Sequence, residues 1–179
     1  MAGHEEKIAI SNYATELDYE AELGIVIGKH TKDVSEKNAL DHVFGYFVAN
    51  DLSARDLQFK SSQWLLGKSM DGYLPIGPYL VTKDDIDNPN NLKITCELNG
   101  EVRQDSNTSD MIFNCEEIIS YTSKYISLEP GDIIITGTPE GVIMGDPEEK
   151  REWIKPNDEV TVSIEGLGKL TNRFVAEKS

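Results

Sequence analysis

The stretch Tyr19-Glu20-Ala21-Glu22-Leu23-Gly24-Ile25-Val26-Ile27-Gly28 constrains this chain more than any other. Its second half is apolar, β-branched and flanked by glycine, which is the composition of a buried strand. Side chains alternate faces along a strand, so Glu20 and Glu22 point the same way, about 7 Å apart at the Cα. Two carboxylates that close repel unless a positive charge lies between them. A hard divalent cation with oxygen ligands is the natural candidate. The bland alternative is an exposed strand face with solvated acids.

Further strands are expected over residues 7–10, 45–50, 77–82, 92–98 and 132–136. Asn99-Gly100 signals a tight hairpin, with a return strand from Glu101. A last hairpin is expected from 160–164 to 169–175, turning at Glu165-Gly166-Leu167-Gly168. Residues 115–127 place Ile118, Ile119, Tyr121, Thr122, Tyr125 and Ile126 near helical spacing, which predicts one substantial helix, stopped by Pro130-Gly131. Asp33 to Ala39 reads as a short polar connection with some helix, and 142–157 as an acidic, turn-rich loop. Ser53 with Asp56 three residues later has the form of a capping box for a short helix. Many strands with one long helix predict a mainly β fold with α, an α+β roll or sandwich. At 179 residues, with no repeat or linker, the chain is expected to form a single domain, 1–179.

The net charge of −15 lacks the basic footprint that nucleic acids or anionic membranes require. No apolar run approaches a membrane span, and the first residues, Met1-Ala2-Gly3-His4-Glu5-Glu6-Lys7, have no signal-peptide core. Two cysteines, Cys96 and Cys115, fit a reducing, cytoplasmic setting rather than a disulfide or zinc scaffold. His4, His30 and His42 show no ligand spacing.

Three further segments carry polar residues at the ends of expected elements. Asp51 closes an apolar strand ahead of a short helix, where it also suits the helix dipole. Arg55 and Asp56 suit a helix cap or a structural ion pair. Lys68, in Leu65-Leu66-Gly67-Lys68-Ser69, lies between an apolar run and small residues; it is either a half-buried, paired lysine or a snorkelling surface one. Thr136-Gly137-Thr138-Pro139-Glu140-Gly141 places small residues at a strand end, where backbone N–H groups can approach an anion, or where the chain simply turns.

Taken in order, these pieces resemble a known family. Tyr19-Glu20-Ala21-Glu22-Leu23, Asn50-Asp51-Leu52-Ser53-Ala54-Arg55-Asp56-Leu57-Gln58, Gly67-Lys68-Ser69, Asn99-Gly100-Glu101-Val102-Arg103-Gln104, Thr108-Ser109-Asp110-Met111-Ile112-Phe113, Gly131-Asp132 and Thr136-Gly137-Thr138-Pro139-Glu140-Gly141-Val142 are similar to the fumarylacetoacetate hydrolase family over roughly residues 16–175. The resemblance implies a mixed β-sandwich roll, a homodimer, and a divalent metal, Mg²⁺ with Mn²⁺ or Ca²⁺ as alternatives, held by Glu20, Glu22 and Asp51. It implies that Lys68 polarises the substrate, that Gln58 and Thr138 meet substrate oxygens, and that the substrate is a 2-oxo acid or 1,3-dicarbonyl compound. It favours hydrolysis of a C–C bond in an acylpyruvate-like compound through a metal-stabilised enolate. Isomerisation, tautomerisation or decarboxylation of an oxo-dienoic diacid or oxaloacetate is the alternative. A non-catalytic binding or dimerising domain is the reading from another class. Relatives carry an upstream G-x-N-Y-x-x-H-x-x-E segment whose His and Glu activate water. No match to it precedes Glu20, so a chain without that lid and its general base is expected. Substrate choice is expected to lie in 59–63, 70–73 and 142–157, because loops vary most freely.

Overall fold

The structure, a computed structural model, describes residues 1–177. In chain order the strands are β1 (Lys7–Ile10), β2 (Leu17–Asp18), β3 (Ala21–Ile27), β4 (Val43–Asn50), β5 (Ser53–Ala54), β6 (Ile76–Thr82), β7 (Lys93–Leu98), β8 (Glu101–Asn107), β9 (Ile133–Ile135), β10 (Glu159–Ile164) and β11 (Gly168–Ala176). The helices are α1 (Glu36–Ala39), α2 (Arg55–Gln58), α3 (Leu65–Lys68) and α4 (Cys115–Tyr125).

Two sheets form a sandwich. One has the order β1-β11-β10-β7-β8, with β1 parallel to β11 and the remaining pairs antiparallel. The other is antiparallel in the order β6-β4-β3-β9, and β2 and β5 make a small ribbon beside it. β3 and β4 lie at the centre and are buried along nearly their whole length, which is why both read as unbroken apolar runs. Their inner side chains pack with Val160, Val162, Leu170 and Phe174 of β10 and β11 in one core. The α+β sandwich expected from the sequence is therefore the observed fold.

Local chemistry explains the joints. Asn99 and Gly100, at φ 53° and 82°, form the two-residue turn between β7 and β8. Positive φ at both positions is the geometry that matches strand twist. Asn114 caps α4 through a full capping box with Glu117. That helix ends at Tyr125, two residues before the expected boundary, and the chain then extends so that Leu128 and Thr31 exchange backbone bonds.

Two expectations are corrected. Ser53 and Asp56 do not form a capping box. The N-cap of α2 is Ala54, without a side-chain bond. Ser53 Oγ donates to Asp51 O, and Asp56 accepts from both the amide and hydroxyl of Thr15. A tertiary partner has taken Asp56, and a closer local one, the Asp51 carbonyl, has taken Ser53. Nor is 142–157 simply a surface loop: it contains turns at Ile143–Gly145 and Glu148–Lys150, and Ile143 and Ile154 are buried in the core.

Candidate metal and substrate site

The strand pairing builds the acidic cluster. Ala21 opposes Asn50 across β3 and β4. The ladder continues one step further, because Asp51 N donates to Glu20 O at 2.9 Å, and Asn50 Oδ1 accepts from Glu20 N at 3.0 Å. Glu20 and Asp51 are thereby fixed beside each other at adjacent strand ends. Glu22 shares the face of Glu20, as the period of two requires. One carboxylate oxygen from each of Glu20, Glu22 and Asp51 lies within 4.8 Å of the others. The solvated-face alternative is excluded, since the Glu22 residue is only 3% exposed and the Glu20 side chain 12%.

Lys68 Nζ donates to Glu20 Oε2 and Asp51 Oδ2, both at 2.7 Å. The residue is half-buried and paired, so the snorkelling alternative is also excluded. Gly67 puts it there. A Cβ on Gly67 would stand 2.6 Å from Gln58 Cβ, so only glycine allows α3 to lie this close against α2.

A second charged layer lies beneath. Asp18 is fully buried and accepts from Arg55 Nε and Nη2 (3.0 Å each), and from the backbone amides of Tyr19, Ile143 and Met144. Arg55 Nη2 also reaches Glu20 Oε1 at 2.7 Å, and its Nη1 donates to Gln58 Oε1 at 3.0 Å. Arg55 is thus the structural ion pair that the sequence allowed, and it orients the Gln58 amide with its NH₂ end free to donate elsewhere. Asp18 ties the 142–157 segment to the site.

The third wall is the turn after β9. Gly137 N donates to Glu22 Oε2 at 2.6 Å. Thr138 Oγ1 accepts from Gln104 Nε2 at 2.9 Å, and Gln104 Oε1 accepts from Ala21 N at 3.1 Å. Gln104 is fully buried and spans from the Glu20–Glu22 segment to the Thr138 turn. A cavity of about 730 Å³ borders this turn, lined among others by Leu23, Met111, Phe113, Ile135 and Thr138.

Burial dominates the electrostatics. Desolvation pushes the Glu22 carboxyl up to about 8, opposed by the Gly137 amide and reinforced by Asp51 and Glu20. Burial raises Asp51 too, against the pull of the Lys68 ammonium, and raises Asp18 against Arg55. When all are ionised, the four carboxylates Asp18, Glu20, Glu22 and Asp51 exceed the two cations Arg55 and Lys68 by two charges. That excess equals the charge of one divalent cation. A hard, all-oxygen donor set with an uncompensated buried carboxylate fits such an ion.

Of the six residues expected from the sequence, Glu20, Glu22 and Asp51 cluster and Lys68 bonds two of them; Gln58 is linked to Glu20 only through Arg55, and Thr138 follows Gly137, whose amide bonds Glu22. Asp18 and Gln104 join them without a sequence signal that would single either out. Asp18 sits in a two-residue strand among other acids, and Gln104 sits in mid-hairpin with only its place in a family motif to mark it. The histidines stay outside the site. His4 accepts from Thr171 N, while His30 bonds Glu129 and His42 bonds Thr31.

Known proteins resemble the chain over nearly its whole length. The family profile described as fumarylacetoacetate (FAA) hydrolase C-terminal matches residues 1–175. A mitochondrial oxaloacetate tautomerase from Xenopus laevis is 46% identical over 98% of this chain and 55% of its own length. The chain thus spans about half the length of such curated relatives. A fumarylacetoacetate hydrolase from Exiguobacterium antarcticum superposes with a TM-score of 0.93 at 41% identity, covering 98% of this chain and 62% of that one. A fumarylpyruvate hydrolase from Pseudomonas aeruginosa, solved with Mn²⁺ and pyruvate, gives 0.89 at 33% identity, covering 98% and 74%. The fold, the carboxylate cluster and these matches together place the chain in the fumarylacetoacetate hydrolase family, a family of enzymes.

Proposed function

We infer that this chain carries a divalent-metal site that converts a 2-oxo acid to its enolate, and that tautomerisation of an oxaloacetate-like diacid is the reaction it serves best. The observation that supports this most is the clustering of Glu20, Glu22 and Asp51 with Lys68 at one site. Glu20, Glu22 and Asp51 would hold Mg²⁺ or Mn²⁺, with Ca²⁺ as a further candidate. The chemistry such an ion supplies when bound is polarisation of an adjacent oxygen.

The chain's own groups bind and orient the substrate, and the proton that leaves C3 passes to water or buffer. Lys68 brings a second positive charge to a half-buried site, where it acts more strongly than in water on an oxygen that gains charge. Gln58 and Thr138 bring hydrogen-bond donors that orient the carboxylate or the distal oxygen. Gly137 and Arg55 hold Glu22 and Glu20 in place. Stabilising the enolate is the first half of tautomerisation, isomerisation and decarboxylation, and it also serves C–C hydrolysis, which needs an activated water besides. Hydrolysis is the second reading, favoured by the likeness to the fumarylpyruvate hydrolase at 33% identity; the tautomerase likeness is closer, at 46%.

A homodimer in a reducing compartment such as the cytoplasm belongs to the same proposal. Tyr79 and Leu80 on β6, and Tyr121 and Tyr125 on α4, are exposed and available to a second copy. Cys96 and Cys115 are buried and free. The net charge of −15 disfavours nucleic acid and anionic membranes, and no helix among the described residues is long and apolar enough to cross a membrane.

The test is an ultraviolet assay of oxaloacetate, acetylpyruvate and fumarylpyruvate with Mg²⁺, Mn²⁺ or EDTA. Metal-dependent loss of the oxaloacetate enol, without acid cleavage products, is expected. Cleavage of acetylpyruvate or fumarylpyruvate would favour the hydrolase. No turnover of any of them would favour the non-catalytic domain.

A further inference from the structure

We propose that Gln104 is a positioning residue that takes up one lone pair of the Thr138 hydroxyl and so biases that hydroxyl towards donating to the ligand. The proposal deepens the reading above and rests on Thr138 meeting a ligand oxygen. Gln104 is fully buried in β8, is not one of the three clustered carboxylates, and the mechanism just described does not use it.

Its amide orientation is determined from both ends. Oε1 accepts from Ala21 N at 3.1 Å. Nε2 faces three acceptors: Pro139 O at 2.8 Å, Thr138 Oγ1 at 2.9 Å and, more weakly, Glu140 O at 3.4 Å. Turned over, the amide would set its oxygen against two carbonyl oxygens and its NH₂ against an N–H, so the reverse orientation is excluded. A threonine hydroxyl has one proton and two lone pairs. With one lone pair committed to Gln104, the proton points away from Gln104 and is left for another acceptor, such as a ligand oxygen. An oxygen that gains negative charge needs a donor there, and a hydroxyl free to rotate would supply one only part of the time. Gln104 also holds Ala21, the residue between Glu20 and Glu22, so one side chain sets the spacing between the carboxylates and the donor.

The experiment measures Mn²⁺ affinity and Mn²⁺-dependent oxalate affinity by titration calorimetry on the full chain. The variants are Gln104→Met, Thr138→Val and the double variant. Each single variant is expected to weaken oxalate by at least about tenfold, the usual scale for a hydrogen bond to a charged group. Mn²⁺ affinity should stay within about threefold of the original chain. In the Thr138→Val background, Gln104→Met should add less than about threefold, because Gln104 acts through a hydroxyl already absent. Independent, additive losses would overturn the proposal, as would an Mn²⁺ affinity that falls in step with oxalate. If Gln104→Met does not fold, Gln104→Glu keeps the acceptor for Ala21 N; its extra charge weakens oxalate in both backgrounds, so the coupling between the two positions is then the readout, and zero coupling overturns the proposal. Oxalate binding unchanged in the Gln104 variants but lost in Thr138→Val would sink this inference and leave the proposed function standing. Absence of Mn²⁺-dependent oxalate binding in the original chain would overturn both.

Discussion

Glu22 makes the metal-free protein sensitive to pH in an unusual direction. Its carboxyl is pushed from 4.5 to about 8, first by burial and then by Asp51 and Glu20. The folded chain therefore keeps this proton between those two values while the unfolded chain has lost it. By linkage, stability from this group is fully present below about pH 4.5 and is lost as pH rises through about 8. Each tenfold change in proton activity within that window is worth about 1.4 kcal/mol, so the step from pH 5 to pH 7 should cost roughly 2–3 kcal/mol. For a domain of this size that is a fall in Tm of about 5–10 °C. The assay is thermal unfolding in EDTA across the pH range, for the original chain and for Glu22→Gln. The glutamine keeps an acceptor for the Gly137 amide but has nothing to ionise. Asp18 and Asp51, also raised by burial, act in the same direction in both proteins and cancel in the comparison. The difference between the two proteins should widen with pH in favour of Glu22→Gln. Mn²⁺ should then reverse the order, since only the ionised glutamate is a good ligand. Parallel curves in EDTA would refute the claim that Glu22 is a buried, uncompensated acid.

Three other substitutions test the scaffold of the site. Asp18→Asn leaves Arg55 buried with only Glu20 to pair it, and should cost about 3–5 kcal/mol in a denaturant titration; a loss below about 1 kcal/mol would mean that Glu20 alone satisfies the guanidinium. Gly67→Ala forces α3 away from Gln58 and should cost roughly 1–3 kcal/mol while weakening oxalate binding, because Lys68 moves with α3; a protein with unchanged Tm and binding would show that the helices separate freely. Lys68→Ala should lower turnover of a 2-oxo acid by about 10²–10³-fold, the scale of a lost oxyanion donor, with a smaller effect on Mn²⁺ affinity. An unchanged rate would remove Lys68 from the chemistry.

Much of this was legible in the sequence, and the limits have physical causes. β3 and β4 could be read because both are buried runs with no competing pattern, and the β7–β8 turn because Asn-Gly is suited to positive φ at two successive residues. The shared direction of Glu20 and Glu22 followed from strand period alone. That Asp51 stands beside Glu20 did not, because it depends on the β3–β4 register. Asp18 was hidden because its partners are Arg55, far along the chain, and amides of the 142–157 segment. The Ser53–Asp56 capping pattern misled because Asp56 is taken by Thr15, which only the tertiary fold brings near, and Ser53 by the carbonyl of its neighbour Asp51. Gln104 looks like any polar residue in a hairpin until β8 is laid against β3 and the Thr138 turn.

The central claim is that this site makes an enolate from a 2-oxo acid, and proton exchange measures that step whatever follows it. The C3 methyl protons of pyruvate, incubated in D₂O with the protein and Mn²⁺ or Mg²⁺, would be followed by NMR. The account predicts exchange well above that of metal and buffer alone, abolished by EDTA and by Glu22→Ala. Exchange no faster than the protein-free control, with the metal shown to be bound, would contradict it.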